Sequence, residues 1–319
     1  MSDRIAPDSR AELLRIANLM GVAPEDIEFI GQLSAESLYE FRQQLIEVYF
    51  EENPQLRRLA KLAGMLPSAV IAKLTVDAIG PILAARVVGE VDTKSALAVL
   101  KRVPIDFICE TAVQTDPRRI QPLFSQSPRP LSKAIADELI NRKEYVAIGQ
   151  LITYVEDDVM HHALGNASDI DILMSSFLVE AKERLNDGVA MLSDERIASL
   201  VKTAAGQGMW LEALDLMSHL DYDEFRRVVS EAMRLDEPTL DDLLTFVSNE
   251  GLWYVAVPAV CLAEDPTLGI AALMRSKATV KRSFLDAVAT GDYNDDINDL
   301  FARHDDPALK KFVSPAMPS

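Results

Sequence analysis

Cysteine and histidine are scarce in this chain: 319 residues hold two Cys and four His. Two cysteines build neither a disulfide framework nor a zinc site. Four histidines leave general-base chemistry to carboxylates so numerous that no pair stands out. A Gly-rich phosphate loop, a Gly-x-Ser-x-Gly elbow and a His-Glu-x-x-His helix are all missing, so the familiar routes to phosphate, acyl-transfer and zinc-hydrolase chemistry are closed. No catalytic residue, metal site or cofactor is expected. Aromatic residues make up only 6% of the chain and glycine only 13 positions, while 49% is apolar. Strand-like alternation is nearly absent, and Ala and Leu abound, which suits closely packed helices. The longest apolar run, Leu252 to Ala263, contains Pro258 and is too short to cross a bilayer. Met1-Ser2-Asp3-Arg4 opens no apolar signal-peptide core. Cys109 and Cys261, each in an apolar setting, read as buried reduced thiols. The expectation is a cytoplasmic protein without membrane insertion.

Positive charge is also short, and unevenly placed. The formal net charge is -18, which opposes sequence-independent binding to nucleic acid or to an anionic membrane. Residues 1–52 carry 4 Lys and Arg against 11 Asp and Glu, and residues 141–319 carry 16 against 31. Residues 53–135 reverse the balance, with 12 against 6. Arg57, Arg58, Lys61, Lys101, Arg102, Arg118 and Arg119 form the basic strip in which an acidic protein partner, or the acidic half of the chain itself, finds complementarity. These heads are expected to be solvated.

What the chain does have is a beat. Asp92, Pro104, Asp116 and Pro128 recur every 12 positions, each a residue suited to opening a helix. The spacing is too long for one turn and too short for a helical pair, so it predicts single helices of about nine residues, stacked one per module. The eighth module position holds Val99, Thr111, Leu123 and Ile135; the ninth holds Leu100, Ala112, Phe124 and Ala136. These two adjacent columns make an apolar stripe. Upstream, Asp8 or Ser9 is expected to cap a first helix ended by Gly21, Pro24 a second and Ser34 a third, with a break at Asn53-Pro54.

A second unit recurs around Tyr145, Trp210 and Trp253. At +3, +6, +7 and +10 stand Ile148, Leu151, Ile152 and Val155, then Ala213, Leu216, Met217 and Leu220, then Ala256, Ala259, Val260 and Ala263. An acid follows each set at +11, as Glu156, Asp221 and Glu264, and Gly208 and Gly251 both stand at -2. This predicts three helix-turn-helix copies, each second helix opened by an aromatic wedge that packs into the hairpin core. Pro258 is expected to kink the third. Further helices are expected at 170–185, 194–205, 224–233, 239–247 and 277–288. Gly165-Asn166-Ala167-Ser168-Asp169 reads as the domain boundary. The resulting division is 1–53 acidic helices, 54–164 short-helix array, 165–313 hairpin repeats, and a disordered tail at 314–319.

The module junctions Val91-Asp92, Val103-Pro104 and Thr115-Asp116-Pro117, with the filling Ala96-Leu97-Ala98-Val99-Leu100, resemble the cytoplasmic N-terminal domain of MgtE-type magnesium transporters over residues 66–124. The middle domain of the flagellar motor switch protein FliG is similar. The resemblance implies an all-α, right-handed superhelix (an α-solenoid). In the transporters, acidic groups of this domain take part in magnesium sensing. The matching stretch here is basic, so no metal ligand carries over, and the absent membrane helices exclude transport.

Two acidic clusters bear on metals. Asp157 with His161, and Asp158 with His162, sit at helical i,i+4 spacing, which a divalent ion bridges, yet two ligands make no tight site. Asp292-Tyr293-Asn294-Asp295-Asp296 imitates a calcium loop but has Ile297 and Arg303 where Gly and Glu are required. The reading is therefore a non-enzymatic interaction scaffold or adaptor that binds a protein or itself. A divalent-cation-responsive regulator and an enzyme with an unrecognised carboxylate site stand as the alternatives.

Overall fold

The computed structural model describes residues 6–50, 54–63 and 65–318, and every regular element among them is helical. The fold is all-α and built from repeats. Residues 1–5 of the expected frayed start, Asn53 and Ser319 lie outside the described residues. The chain forms two compact units, Met1–Arg184 and Leu185–Ser319.

The first unit opens with α1 (Pro7–Met20), a 3-10 turn (Pro24–Ile30) and α2 (Ala35–Tyr49). The array follows as α3 (Pro54–Ala63), α4 (Ser68–Leu74), α5 (Pro81–Val88), α6 (Thr93–Leu100), α7 (Ile105–Val113), α8 (Pro117–Gln126) and α9 (Arg129–Asn141). α10 (Tyr145–Leu151), α11 (Asp157–Asn166) and α12 (Asp169–Phe177) complete the unit. Asp92, Pro104, Asp116 and Pro128 are the N-cap residues of α6, α7, α8 and α9. Asp92 accepts from the Ser95 amide at 3.0 Å and Asp116 from the Arg118 amide at 3.1 Å, each satisfying a helix-end donor that would otherwise be orphaned. The prolines act through their fixed φ instead. Gly80, one module earlier, caps α5 with φ 76°, so the beat starts there.

Array helices pack on the next but one: α3 on α5 on α7 on α9, and α4 on α6 on α8. They therefore alternate between two rows. A helix of nine residues such as α7 is marginal alone, and its stability comes from the neighbours within its row.

Two expectations for the entry segment are corrected. α1 begins at Pro7 after Ala6, with no side-chain cap. Pro at the first helical position needs no cap for its missing N–H, and Ser9 is free to donate to the Leu33 carbonyl at 3.0 Å. α2 buries Leu38, Arg42 and Ile46 and leaves Phe41 and Val48 exposed. Nor is the segment a separate domain. Glu12, Arg15 and Arg42 are buried together: Arg42 Nε donates to Glu12 Oε2 at 2.8 Å, Arg42 Nη1 to Glu180 Oε1 at 2.9 Å, and Arg15 Nη2 to the Val179 carbonyl at 3.1 Å. Burial works to lower the Arg42 pKa, but Glu180 and Glu12 beside it raise it above its ordinary value.

Leu178–Glu180 is thus a clasp. It explains why the single helix expected over 170–185 is broken: α12 ends at Phe177, and α13 (Glu183–Ala190) starts only after the carbonyls between them have met α1 and α10. The expected boundary at 165–169 is likewise corrected. Gly165 and Asn166 lie within α11, and Ser168 with Asp171 forms a capping box for α12, inside the first unit.

The second unit contains α14 (Asp194–Gln207), α15 (Trp210–Ser218), α16 (Tyr222–Ala232), α17 (Glu237–Glu250), α18 (Trp253–Leu262), α19 (Thr267–Arg275), α20 (Ala278–Val288), α21 (Asn294–Arg303) and α22 (Pro307–Val313). Ser314–Met317, expected to be disordered, turns after α22. Pro258 lies inside α18, which continues to Leu262.

None of the twelve apolar positions of the aromatic repeat is exposed, and both tryptophans are buried. The copies share a hinge. Gly208 and Gly251 have φ of 68° and 72°, and the next amide, of Met209 or Leu252, bonds five residues back to Ala204 or Val247. In the first copy Lys143 takes the same conformation, φ 59°, and the Glu144 amide bonds to Leu139. A side chain in the left-handed region costs about 1–2 kcal/mol, partly offset by the larger entropy that glycine loses on folding. Lys143→Gly is therefore expected to stabilise the first unit by about 0.5–1 kcal/mol. Chemical denaturation checks this; an unchanged or earlier midpoint would contradict it.

Candidate functional site

The predicted apolar stripe closes only in part: Ala112 and Ile135 are buried with Ile108 and Ile120 in a core against which Leu100, Leu123 and Phe124 pack. Between the two rows runs a groove with a cavity of about 240 Å³. Val99 and Leu100 of α6, Thr111 and Ala112 of α7, Leu123 and Phe124 of α8 and Ile135 of α9 line it, so the same module positions face inward from both rows. Ala136 alone of the two columns is not part of the lining. Among the described residues no charged side chain contributes, and the Ser127 hydroxyl in the wall is buried without a hydrogen-bond partner.

At the α3–α4 end the groove runs out onto the surface. Leu62, Leu66 and Leu74 line it while remaining 60%, 46% and 44% exposed, which distinguishes an open face from core. Met65, Val70 and Ile82 are exposed in the same stretch. The wall there contains a π-helical turn, Thr75–Ile79, which no spacing or breaker residue announces; Thr75 and Ile79 both line the groove.

The basic strip is only partly solvated, which corrects the expectation for its better-placed members. Arg119 is 22% exposed, pairs with Glu90 at 2.6 Å and lies over the Phe50 ring. Arg57 pairs with the same Glu90 at 3.3 Å. Arg118 is bound to Asp116 and donates to Gln43 at 2.7 Å; the Asp116 hydrogen bond raises its pKa above the ordinary value. Arg118 and Arg119 thereby attach α2 to α8. Arg102 donates to the Ala98 carbonyl at the end of α6. Arg58, Lys61 and Lys101 are exposed. The structure therefore does not gather the seven residues at one place.

The two Asp–His pairs are drawn to other partners: Asp157 to Arg184, Asp158 to Arg129 and Lys133, and His162 to Asp137 at 3.0 Å. Among the described residues no group of three or more His, Cys, Asp and Glu is placed to hold a metal ion, and no helix is long and apolar enough to cross a membrane. Cys109 and Cys261 are buried, and burial pushes both thiols up to about 12. Comparison with protein families, with curated proteins and with solved structures returns no match.

Proposed function

We propose that this chain is a non-enzymatic, cytoplasmic scaffold or adaptor that docks an apolar segment of a partner polypeptide in the groove of its first unit. The observation that carries this reading is the open end. A solenoid ordinarily finishes in a polar cap, whereas α3 and α4 leave Leu62, Leu66 and Leu74 facing solvent at the mouth of an apolar channel. Contiguous apolar surface of this kind marks interaction sites, and a groove walled by helices suits a helix laid lengthwise. The right-handed superhelical path, and the kinship of residues 66–124 with the MgtE-type domain, belong to the same proposal. The module caps and the next-but-one packing support them.

A photo-crosslinking residue tests the location. Placed at Leu66 or Leu74 in the native cell, it is expected to trap a partner polypeptide; placed at Lys101 or Arg102, on the exposed basic strip, it is not. The opposite pattern would move the binding surface to the basic end of α6.

A further inference from the structure

Resting on that reading, we infer that the groove's occupant is an acidic amphipathic helix, whose apolar face enters between the two rows and whose carboxylates meet a basic rim at the α3–α4 end. The rim is drawn by charge. Residues 54–88 carry Arg57, Arg58, Lys61, Lys73 and Arg86 against a single acid, Asp77, in a chain whose net charge is -18. Glu90 engages Arg57. Arg58, Lys61 and Lys73 are exposed and meet no carboxylate among the described residues. Their positions interleave with the groove mouth: Arg58 stands one turn before Leu62 on α3, Lys61 beside it, and Lys73 beside Leu74 on α4. Residues one turn apart share a helix face, so Arg58 and Leu62 offer cation and apolar contact together, while Lys61 and Lys73 flank the apolar positions beside them.

The shape selects the occupant further. Val99, Leu100 and Thr111 line a channel between two rows of helices, a shape that suits a rod laid lengthwise better than a flat bilayer. The acidic whole also opposes an anionic membrane. Rim charges of this sort act mainly on association rate and partner choice, and are screened by salt. The apolar channel supplies contact area and the rim supplies discrimination.

The test uses the full chain and two synthetic helical peptides of about 18 residues, five turns each. Both carry the same leucine face, one with glutamate and the other with lysine on the polar face. Fluorescence anisotropy at low salt is expected to show the glutamate peptide binding at least about tenfold more tightly, with the difference shrinking in 0.5 M salt. Reversing the rim with R58E, K61E and K73E should reverse the preference. Leu66→Asp with Leu74→Asp, both exposed positions where no core is disturbed, should abolish binding of either peptide.

Equal binding of the two peptides would overturn the acidic-helix inference while leaving the groove reading in place. Absence of binding by both would overturn the groove reading as well. Two further results would also count against the inference: a dimer in sedimentation that is lost in the Leu66/Leu74 variant, which assigns the mouth to a second copy, or binding to phosphatidylserine vesicles in preference to the glutamate peptide, which assigns it to a lipid surface.

Discussion

Replacing Glu12 by alanine is expected to lower the stability of the first unit by about 3–5 kcal/mol, the usual cost of removing one partner from a buried ion pair. The Glu12 side chain is 9% exposed and sits between Arg15 at 5% and Arg42 at 3%. Without it, Arg15 keeps only the Val179 carbonyl among the described residues, and its Nε already lacks a partner there. Arg42 keeps Glu180, which at 34% exposure is the weaker, better-hydrated half of its environment. The loss comes from uncompensated charge rather than from the attraction itself. The double variant Glu12→Leu with Arg42→Met should accordingly lose less than the two single changes added together. Urea denaturation, followed by a probe confined to the first unit, reads both. A single-variant loss under about 1 kcal/mol would show that water reaches the cluster.

Gly149→Ala is expected to be nearly as damaging, at about 3 kcal/mol, the upper part of the range for overpacking. An added Cβ would lie 2.2 Å from the Leu178 carbonyl oxygen and 2.4 Å from its carbon. Main chain cannot swing aside as a flexible side chain does. α10 would have to withdraw from the same clasp that holds Arg15 and Arg42. Gly165→Ala in α11 is the matched control, since nothing lies within 4 Å of its Cβ position; helix propensity predicts a gain of about 0.5–1 kcal/mol there. Thermal melting of the pair separates close packing from propensity, and similar shifts would refute the clash.

The contrast between these positions explains what the sequence disclosed. Helix caps are local, so Asp92, Pro104, Asp116 and Pro128 could be found from spacing alone, as could the glycine hinges before the tryptophans. Lys143 escaped notice because nothing about lysine announces positive φ. The Glu12–Arg42–Glu180 cluster unites residues 30 and 138 positions apart, beyond any periodicity. Gly165–Asp169 looked like a boundary because a capping box and a linker draw on the same residue types. The groove was half legible: its lining columns stood out as a stripe, yet whether facing stripes meet or stay apart depends on the spacing of the rows, which no single module encodes. The basic strip failed as a unit for a related reason. Like charges close in sequence were dispersed by alternating rows, and two of them were consumed in fastening α2.

That alternation gives the array a parity. Because each helix packs on the next but one, consecutive modules belong to opposite rows while presenting the same two positions inward. The natural increment of length is therefore 24 residues, two 12-residue modules. Deleting one module keeps every cap in register but transfers all that follows to the other row, so that Gln43 and Phe50 of the entry segment no longer meet Arg118 and Arg119. Deleting two shortens the channel and returns each end to its own side. Lengthening or shortening of such a groove should then proceed in even steps, with odd numbers of modules excluded by the fastening of its ends rather than by any fault within the modules.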